Sequence, residues 1–178
     1  EQGIYLLAIT YPGPNNNTLT NITANSNGQN GIYLAYGSNN ALSNITANSN
    51  IQNGIYLSSS SNNNTFNNIT ANSNILNGIY LSGGSNNTLN NITANSNIQN
   101  GIYLDLSSSN NFNNFNVWNS STGGDYSGIY VYESSNNVFS SGYVNQSGKY
   151  GILLYSLTGG VASNNVFKDM WINNTVGR

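Results

Sequence analysis

Short segments in which apolar and polar residues alternate recur along the whole chain. In the segment Gly-Ile-Tyr-Leu, the Ile and Leu side chains fall on one face of an extended strand and Tyr falls on the other. In the segment Asn-Ile-Thr-Ala, Ile and Ala share a face, opposite Asn and Thr. Asn, Ser and Gly bound these segments, and no helical 3.6-residue periodicity persists, so the pattern predicts short β-strands throughout.

The strand pattern repeats with a nearly constant period. Successive copies of the Gly-Ile-Tyr-Leu segment, including weaker copies near the end, are separated by 28, 23, 24, 23, 27 and 23 residues. A period in this range is typical of solenoids. The copies predict seven coils, which begin at Gly3, Gly31, Gly54, Gly78, Gly101, Gly128 and Gly151.

Coils of about 23 residues built from short strands and tight corners predict an all-β parallel β-helix that occupies residues 1–178 as one domain. An antiparallel sandwich would need hairpin turns, but four of the five Asn-Gly pairs fall at one phase of the repeat and so mark one corner. Stacking of equal phases predicts two inner ladders of Ile and Leu, and an asparagine side-chain ladder at each Ser-Asn-Asn corner. The members of the inner ladders are Ile32, Ile55, Ile79 and Ile102, and Leu34, Leu57, Leu81 and Leu104.

Composition narrows the possible partners. Charged residues are 4% of the 178 residues, the net charge is −2, and only three residues are basic. Phosphate neutralisation therefore cannot drive nucleic-acid binding. No apolar run approaches membrane-spanning length, so membrane insertion is not expected. The chain begins at Glu1 rather than Met and shows no signal peptide, which favours a processed or excised segment.

The repeated Gly-Ile-x-Leu and Ser-Asn-Asn-x-Leu/Phe motifs resemble those of right-handed parallel β-helix proteins, many of which are secreted or carbohydrate-associated. The resemblance extends from Gly3 to about Phe167. It implies the fold, but that superfamily contains lyases, hydrolases, adhesins, tailspikes and structural proteins, so it does not imply one activity.

The acidic residues are the first place to look for catalysis. Asp105, Asp125 and Glu133 are the one group that neighbouring coils could bring together, and they could also hold calcium. No His, Cys or nearby basic residue accompanies them, so a catalytic triad, a zinc site and a P-loop are excluded. We interpret the three acids as solvated surface residues and predict no enzymatic activity, no catalytic or metal site and no cofactor.

One phase of the repeat places a tyrosine on the outer face of six coils. Such a column either stabilises its own sheet or forms an interface or a sugar-binding surface, and both interpretations stay open. Its members are Tyr5, Tyr33, Tyr56, Tyr80, Tyr103 and Tyr130.

Asn-x-Ser/Thr sequons recur, and several fall at one outward phase, where covalent glycans would also keep an almost uncharged surface soluble. We predict glycosylation within the set Asn16, Asn21, Asn44, Asn63, Asn68, Asn86, Asn91, Asn119, Asn145 and Asn173. The adjacent outward threonines Thr23, Thr46, Thr70 and Thr93 give a weaker resemblance to ice-binding solenoids.

These observations predict an extracellular, glycosylated structural protein of a cell-surface filament or layer. The length of the chain is close to a whole number of coils, so we expect its end coils to stack head to tail on further copies of the chain. The predicted end-coil contacts are Gly3, Ile4, Leu6, Ile152, Leu154, Met170 and Ile172. The alternatives are an adhesin that binds glycans through the tyrosine column and a polysaccharide lyase or hydrolase.

Overall fold

The protein folds into a solenoid of two parallel sheets, as seen in a computed structural model that describes residues 1–8, 13–120, 126–157 and 159–173. Fifteen strands and no helix occur within these ranges. Sheet A contains, in order, β1 (Ile4–Leu7), β3 (Ile32–Ala35), β5 (Ile55–Ser58), β7 (Ile79–Ser82), β9 (Ile102–Asp105), β11 (Ser127–Tyr132) and β13 (Tyr150–Tyr155). Sheet B contains β2 (Thr18–Thr23), β4 (Ala41–Thr46), β6 (Thr65–Thr70), β8 (Thr88–Thr93), β10 (Asn111–Trp118), β12 (Val138–Asn145), β14 (Val166–Lys168) and β15 (Trp171–Asn173).

Every strand pairs in parallel with the strand one coil away, so equal phases of the repeat lie above one another. Ile55 pairs with Ile79, Tyr56 with Tyr80 and Leu57 with Leu81. The same register continues through the other coils of sheet A. The predicted seven-coil parallel β-helix and its inner ladders are therefore confirmed.

The core is a column of apolar side chains between the two sheets. The Ile and Leu ladders of sheet A face Leu or Phe and then Ile or Ala from sheet B, and these side chains are almost fully buried. One position shows how volume is conserved between coils. Phe115 takes the place of the repeated Ile, and its ring fills the space above Gly142, where any larger residue would overlap it.

Buried asparagines form continuous ladders at the corners. In the Ser-Asn-Asn corner, the Asn87 Oδ1 accepts hydrogen bonds from the backbone N–H and the side-chain Nδ2 of Asn64, at 2.8 and 3.1 Å. Asn87 in turn donates through the same two groups to Oδ1 of Asn110. Each amide thus accepts from a backbone N–H of one neighbouring corner and donates to the amide of the other, which confirms the predicted corner ladder.

An asparagine in the left-handed conformation resets the phase of sheet B strands β2, β4, β6, β8 and β10, and Ser141 takes this place in β12. Asn44 has φ of 54° and lies between Leu42 and Ile45, both of which are buried although they are three residues apart. Strict alternation would place one of these two side chains outward. Asn tolerates this conformation better than most residues, which explains why it recurs at Asn21, Asn68, Asn91 and Asn114.

The longest insertions in the repeat fall partly outside the described residues. These include Tyr11 and Pro12 of the first coil, Thr158 of the last coil, and Ser121 to Gly124 after β10. Within the described ranges the chain has no helix of the length and apolarity needed to cross a membrane.

Candidate functional site: the outer face of sheet A

The tyrosine column lies on the outer face of sheet A, as predicted. It consists of Tyr5, Tyr33, Tyr56, Tyr80, Tyr103 and Tyr130, whose neighbouring ring centroids are 4.7 to 4.9 Å apart with interplanar angles of 4° to 9°. Each inner ring is covered on both faces by its neighbours, so it presents its edge and hydroxyl group to solvent. The column therefore offers a row of hydroxyl groups rather than a row of open ring faces.

A second outward column runs beside the tyrosine column and supplies its hydrogen-bond partners. The hydroxyl groups of Tyr33 and Ser58 are 2.9 Å apart. The Tyr80 hydroxyl donates to Oδ2 of Asp105 at 3.0 Å. Strand pairing places Asp105 between Ser82 and Tyr132 in this second column. At least two hydroxyl groups of the row are thus fixed in orientation, and the row passes next to a carboxylate near one end.

Two of the three predicted acids lie on adjacent coils near this end of sheet A. Asp105 pairs with Tyr132 across β9 and β11, and Glu133 follows Tyr132 directly. Glu133 lies just beyond β11 with φ of 43°, so the chain leaves the extended conformation there. We call Asp105, Tyr132 and Glu133 the acidic cluster. Asp125, the third predicted acid, lies outside the described residues.

Contacts with other coils hold the acidic cluster in place. Glu133 Oε1 accepts a hydrogen bond from the Leu157 backbone N–H at 3.2 Å, and its carboxyl group packs against Gly160. Partial burial and then the hydrogen bond to Glu133 raise the pKa of Tyr132, so Tyr132 keeps its proton at neutral pH. Among the described residues, no three His, Cys, Asp or Glu side chains converge as a metal site would require.

Tyr80 and Tyr103 are also held in the protonated form. Burial is the main cause that raises the pKa of each, and the negative charge of Asp105 raises both further. Both hydroxyl groups are therefore hydrogen-bond donors over the whole physiological pH range.

Alkaline pH is expected to destabilise the fold through these tyrosines. The unfolded chain ionises its tyrosines near pH 10, whereas the folded column keeps Tyr80 and Tyr103 protonated above that value. Stability that is fully present below about pH 10 is therefore lost as the pH rises through the raised pKa. Thermal unfolding followed by circular dichroism from about pH 8 to pH 11 measures the loss.

The variant Tyr103→Phe should reduce this alkaline loss, because it removes one of the titrating hydroxyl groups. Tyr36→Phe is the matched control, since Tyr36 is exposed and lies outside the column. An equal pH dependence in wild type and Tyr103→Phe would contradict the assignment.

The predicted glycosylation sites lie mainly on the surface. Asn16, Asn21, Asn44, Asn63, Asn68, Asn86, Asn91 and Asn119 are exposed, and Asn145 and Asn173 are half-buried. Asn44 Nδ2, the atom to which a sugar would be attached, donates to Asn21 Oδ1 at 3.0 Å, and the same bond repeats from Asn68 and Asn91. Glycosylation stays a prediction, with the constraint that neighbouring sites in this column are about one strand spacing apart, about 4.8 Å.

The outer face of sheet B holds a feature that the sequence reasoning missed. The outward column of Thr23, Thr46, Thr70 and Thr93 continues through Asn116 to two aromatic residues, Tyr143 and Trp171. Trp118 lies in the next outward column. The repeat of 23 to 28 residues that revealed the tyrosines could have revealed this change from Thr to aromatic residues.

The fold and its outer faces define a repeat protein of the β-helix class. The sequence matches the family described as right handed beta helix region over residues 3–117 and 49–177. The chain therefore belongs to the right-handed β-helix family. A search of curated proteins finds no relative that matches this sequence.

Solved structures with a similar fold include carbohydrate-active proteins. The T265N mutant of a periplasmic alginate epimerase, AlgG, superposes with a TM-score of 0.75 at 15% identity, covering 89% of this chain and 45% of its own. The A-module of the Azotobacter vinelandii mannuronan C-5 epimerase AlgE4 gives 0.73 at 15%, covering 89% and 54%. The enzymatically active domain of bacteriophage CBA120 tailspike protein 2 gives 0.66 at 17%, covering 93% and 30%. The chain thus spans about half the length of the two epimerases.

These comparisons overturn two predictions. The prediction of a filament or layer subunit is wrong, and so is the prediction that excludes enzymatic activity, because the similar structures are epimerases and an enzymatically active tailspike domain. The filament prediction rested on the end coils, whose residues Ile4, Leu6, Ile152 and Met170 are partly buried while Leu154 and Ile172 are exposed. Partly exposed side chains in the end coils are expected for a subunit that assembles with other copies. They are equally expected for a segment that is half as long as its structural neighbours, so they do not distinguish the two.

Proposed function

We propose that this chain is part of a carbohydrate-active β-helix protein that binds a neutral polysaccharide along the outer face of sheet A and hydrolyses it. Asp105 and Glu133 would provide the pair of carboxyl groups that glycoside hydrolysis requires, one as proton donor and one as base or nucleophile. The observation that supports this proposal best is the row of hydroxyl groups that passes next to the acidic cluster.

The arrangement suits a polymer with many hydroxyl groups. Tyr103 stays protonated and so can donate a hydrogen bond to a sugar oxygen, whereas the Tyr80 proton is used by Asp105 and its hydroxyl oxygen can accept one from a sugar hydroxyl. The strand spacing repeats hydroxyl groups of this kind at every coil. A polymer that lies parallel to the solenoid axis would contact several coils at once. Many weak contacts of one kind add up to useful affinity for a repeating ligand.

The charge of the face favours a neutral substrate over a polymer of uronic acids. The outward positions of β7 and β9 carry Asp105, Ser82 and tyrosines, and Glu133 lies one residue beyond β11. No Lys or Arg lies in β1 to β11. An anionic polymer would meet like charge here without a compensating cation. The proposed substrate class therefore differs from the alginate named for the similar epimerases.

We place the protein outside the cytoplasm, either in the periplasm or in an extracellular setting. One similar structure is a periplasmic epimerase and another is a phage tailspike domain, and charged residues are almost absent from this chain.

The release of new reducing ends from soluble neutral polysaccharides tests the proposal. Asp105→Asn and Glu133→Gln should each lower turnover at least about 100-fold while the polysaccharide still binds, because each removes one member of the carboxyl pair. Asp169→Asn is the matched control, since Asp169 is exposed, follows β14 of sheet B and belongs to neither outward column of sheet A.

Two results would overturn the proposal. One is a wild-type protein that releases no reducing ends from any neutral polysaccharide tested. The other is full turnover by Asp105→Asn or by Glu133→Gln, because either residue would then be dispensable for the chemistry.

A further inference from the structure

Sheet B carries a cluster of exposed aromatic residues that the proposed site on sheet A does not use. Trp118, Tyr143 and Trp171 are 45%, 38% and 48% exposed, respectively. We call these three residues the aromatic platform. Large aromatic side chains left open to water in one cluster are typical of binding surfaces, because their burial against a ligand is strongly favourable.

The aromatic platform is held rigid by its own contacts. The rings of Tyr143 and Trp171 stack with centroids 4.4 Å apart and an interplanar angle of 12°. The Trp118 Nε1–H donates to Oε1 of Gln146 at 3.0 Å, and Asn145 Nδ2 donates to the Tyr143 hydroxyl at 3.3 Å. A surface whose side chains are already ordered loses little conformational entropy when a ligand binds.

The platform differs from the tyrosine column in the surfaces that its rings offer. Among the described residues no aromatic ring stacks on Trp118, which lies between Asn95 and Asn145 in its column. Trp171 has one described ring neighbour, Tyr143. Among the described residues, the exposed indole of Trp118 therefore has no ring stacked on it, whereas the faces of the inner tyrosines are covered by other rings.

A row of amide donors leads along the sheet to Trp118. The Oδ1 atoms of Asn25, Asn48, Asn72 and Asn95 each accept a backbone N–H from the next coil, at 2.7 to 2.8 Å. These bonds fix the amides, and the Nδ2 groups of Asn48, Asn72 and Asn95 have no acceptor among the described residues. One oriented N–H₂ donor is thus available to an outside acceptor on each of these coils, about 4.8 Å from the next.

The chemistry of this surface indicates the class of its ligand. Exposed indole rings pack against the apolar C–H face of a sugar ring, and amide donors pair with its hydroxyl groups. Strands β2 to β12 of sheet B contain no Asp, Glu, Lys or Arg, so an anionic polymer has no counter-charge there. Of the two neighbouring residues Lys168 and Asp169 in the last coil, one is positive and the other is negative, so their charges balance.

We propose that sheet B is a second polysaccharide-binding surface, which anchors a neutral polysaccharide on Trp118, Tyr143 and Trp171 and guides it along the asparagine row. It takes the same class of polymer as the proposed site on sheet A, but it lies on the other sheet and does not depend on the acidic cluster. A polymer held on one sheet while another segment reaches the other sheet would bind with increased effective concentration.

Affinity electrophoresis in gels that contain a soluble neutral glucan, galactomannan or xyloglucan tests the platform. Trp118→Ala and Trp171→Ala should each weaken binding at least tenfold relative to wild type. Ile98→Ala is the matched control because Ile98 is 43% exposed, similar to Trp118, but lies at a corner of the coil. Trp118→Phe should recover part of the affinity, since it restores an aromatic face without the indole N–H.

The outcomes separate this inference from the proposed hydrolysis. Tight binding by wild type that both Trp variants lose and Ile98→Ala keeps supports the platform, whether or not reducing ends appear. The platform is rejected if the Trp variants bind the polymers as tightly as wild type does, or if Ile98→Ala loses as much affinity as the Trp variants. It is also rejected if wild type binds none of the three polymers, or if it binds only alginate. Loss of turnover in Asp105→Asn with normal binding by Trp118→Ala would support the site on sheet A alone.

Discussion

Replacing Ile79 by Asp is expected to lower the free energy of unfolding by about 4 kcal/mol or more, because it buries an unpaired charge between packed coils. Ile79 is fully buried and pairs with Ile55 and Ile102 in adjacent coils. A charge at this place has apolar neighbours on both sides and no hydrogen-bond donor within the ladder. Urea unfolding followed by circular dichroism measures the change.

Tyr80→Asp is the matched control, one residue away on the outer face of the same strand. Tyr80 is half-buried, and its replacement loses two ring stacks and places a carboxylate near Asp105, yet the new charge stays in contact with water. Its cost should be clearly smaller than that of Ile79→Asp. Equal destabilisation by the two variants would show that the inward and outward assignment of β7 is wrong.

Replacing Asn87 by Ala is expected to cost about 3 kcal/mol, because it interrupts a buried amide ladder at its centre. The change removes the acceptor of the Asn64 backbone N–H and the side-chain donor to the Ser61 carbonyl oxygen, and both of these groups are buried. Buried polar groups without partners cost more than the hydrogen bonds themselves contribute. The same urea titration reports the loss.

Asn90→Ala is the control for this second variant. Asn90 is half-buried on the outer face of β8, and its side chain donates one hydrogen bond, to Asn67 Oδ1 at 3.1 Å. Water can replace that bond, so the cost should be below about 1 kcal/mol. A cost for Asn87→Ala no larger than that of Asn90→Ala would mean that the corner ladder adds little to stability.

The functional part of the sequence interpretation failed for a physical reason. A solenoid with short strands and few charges can serve an enzyme, an adhesin or a filament, since each coil repeats the same packing whatever its outer face does. The argument from the end coils concerned only chain length, and the comparisons show that similar folds extend over about twice that length. The sequence could suggest only that Asp105 and Glu133 lie on neighbouring coils, and strand register was needed to show Asp105 next to Tyr132.

The sequence by itself determined the parallel β-helix, its seven coils, the Ile and Leu ladders, the stacked tyrosines and the asparagine corners. It could do so because stacking of equal phases converts a linear period directly into neighbours in space. The tertiary structure alone decided the features that depend on backbone conformation and on contacts between unlike residues. The left-handed Asn44 brings Leu42 and Ile45 to one side, against simple alternation. Ring stacking covers the faces of the inner tyrosines. Trp118 and Trp171 share no repeated motif, and only the fold shows that both are exposed on sheet B.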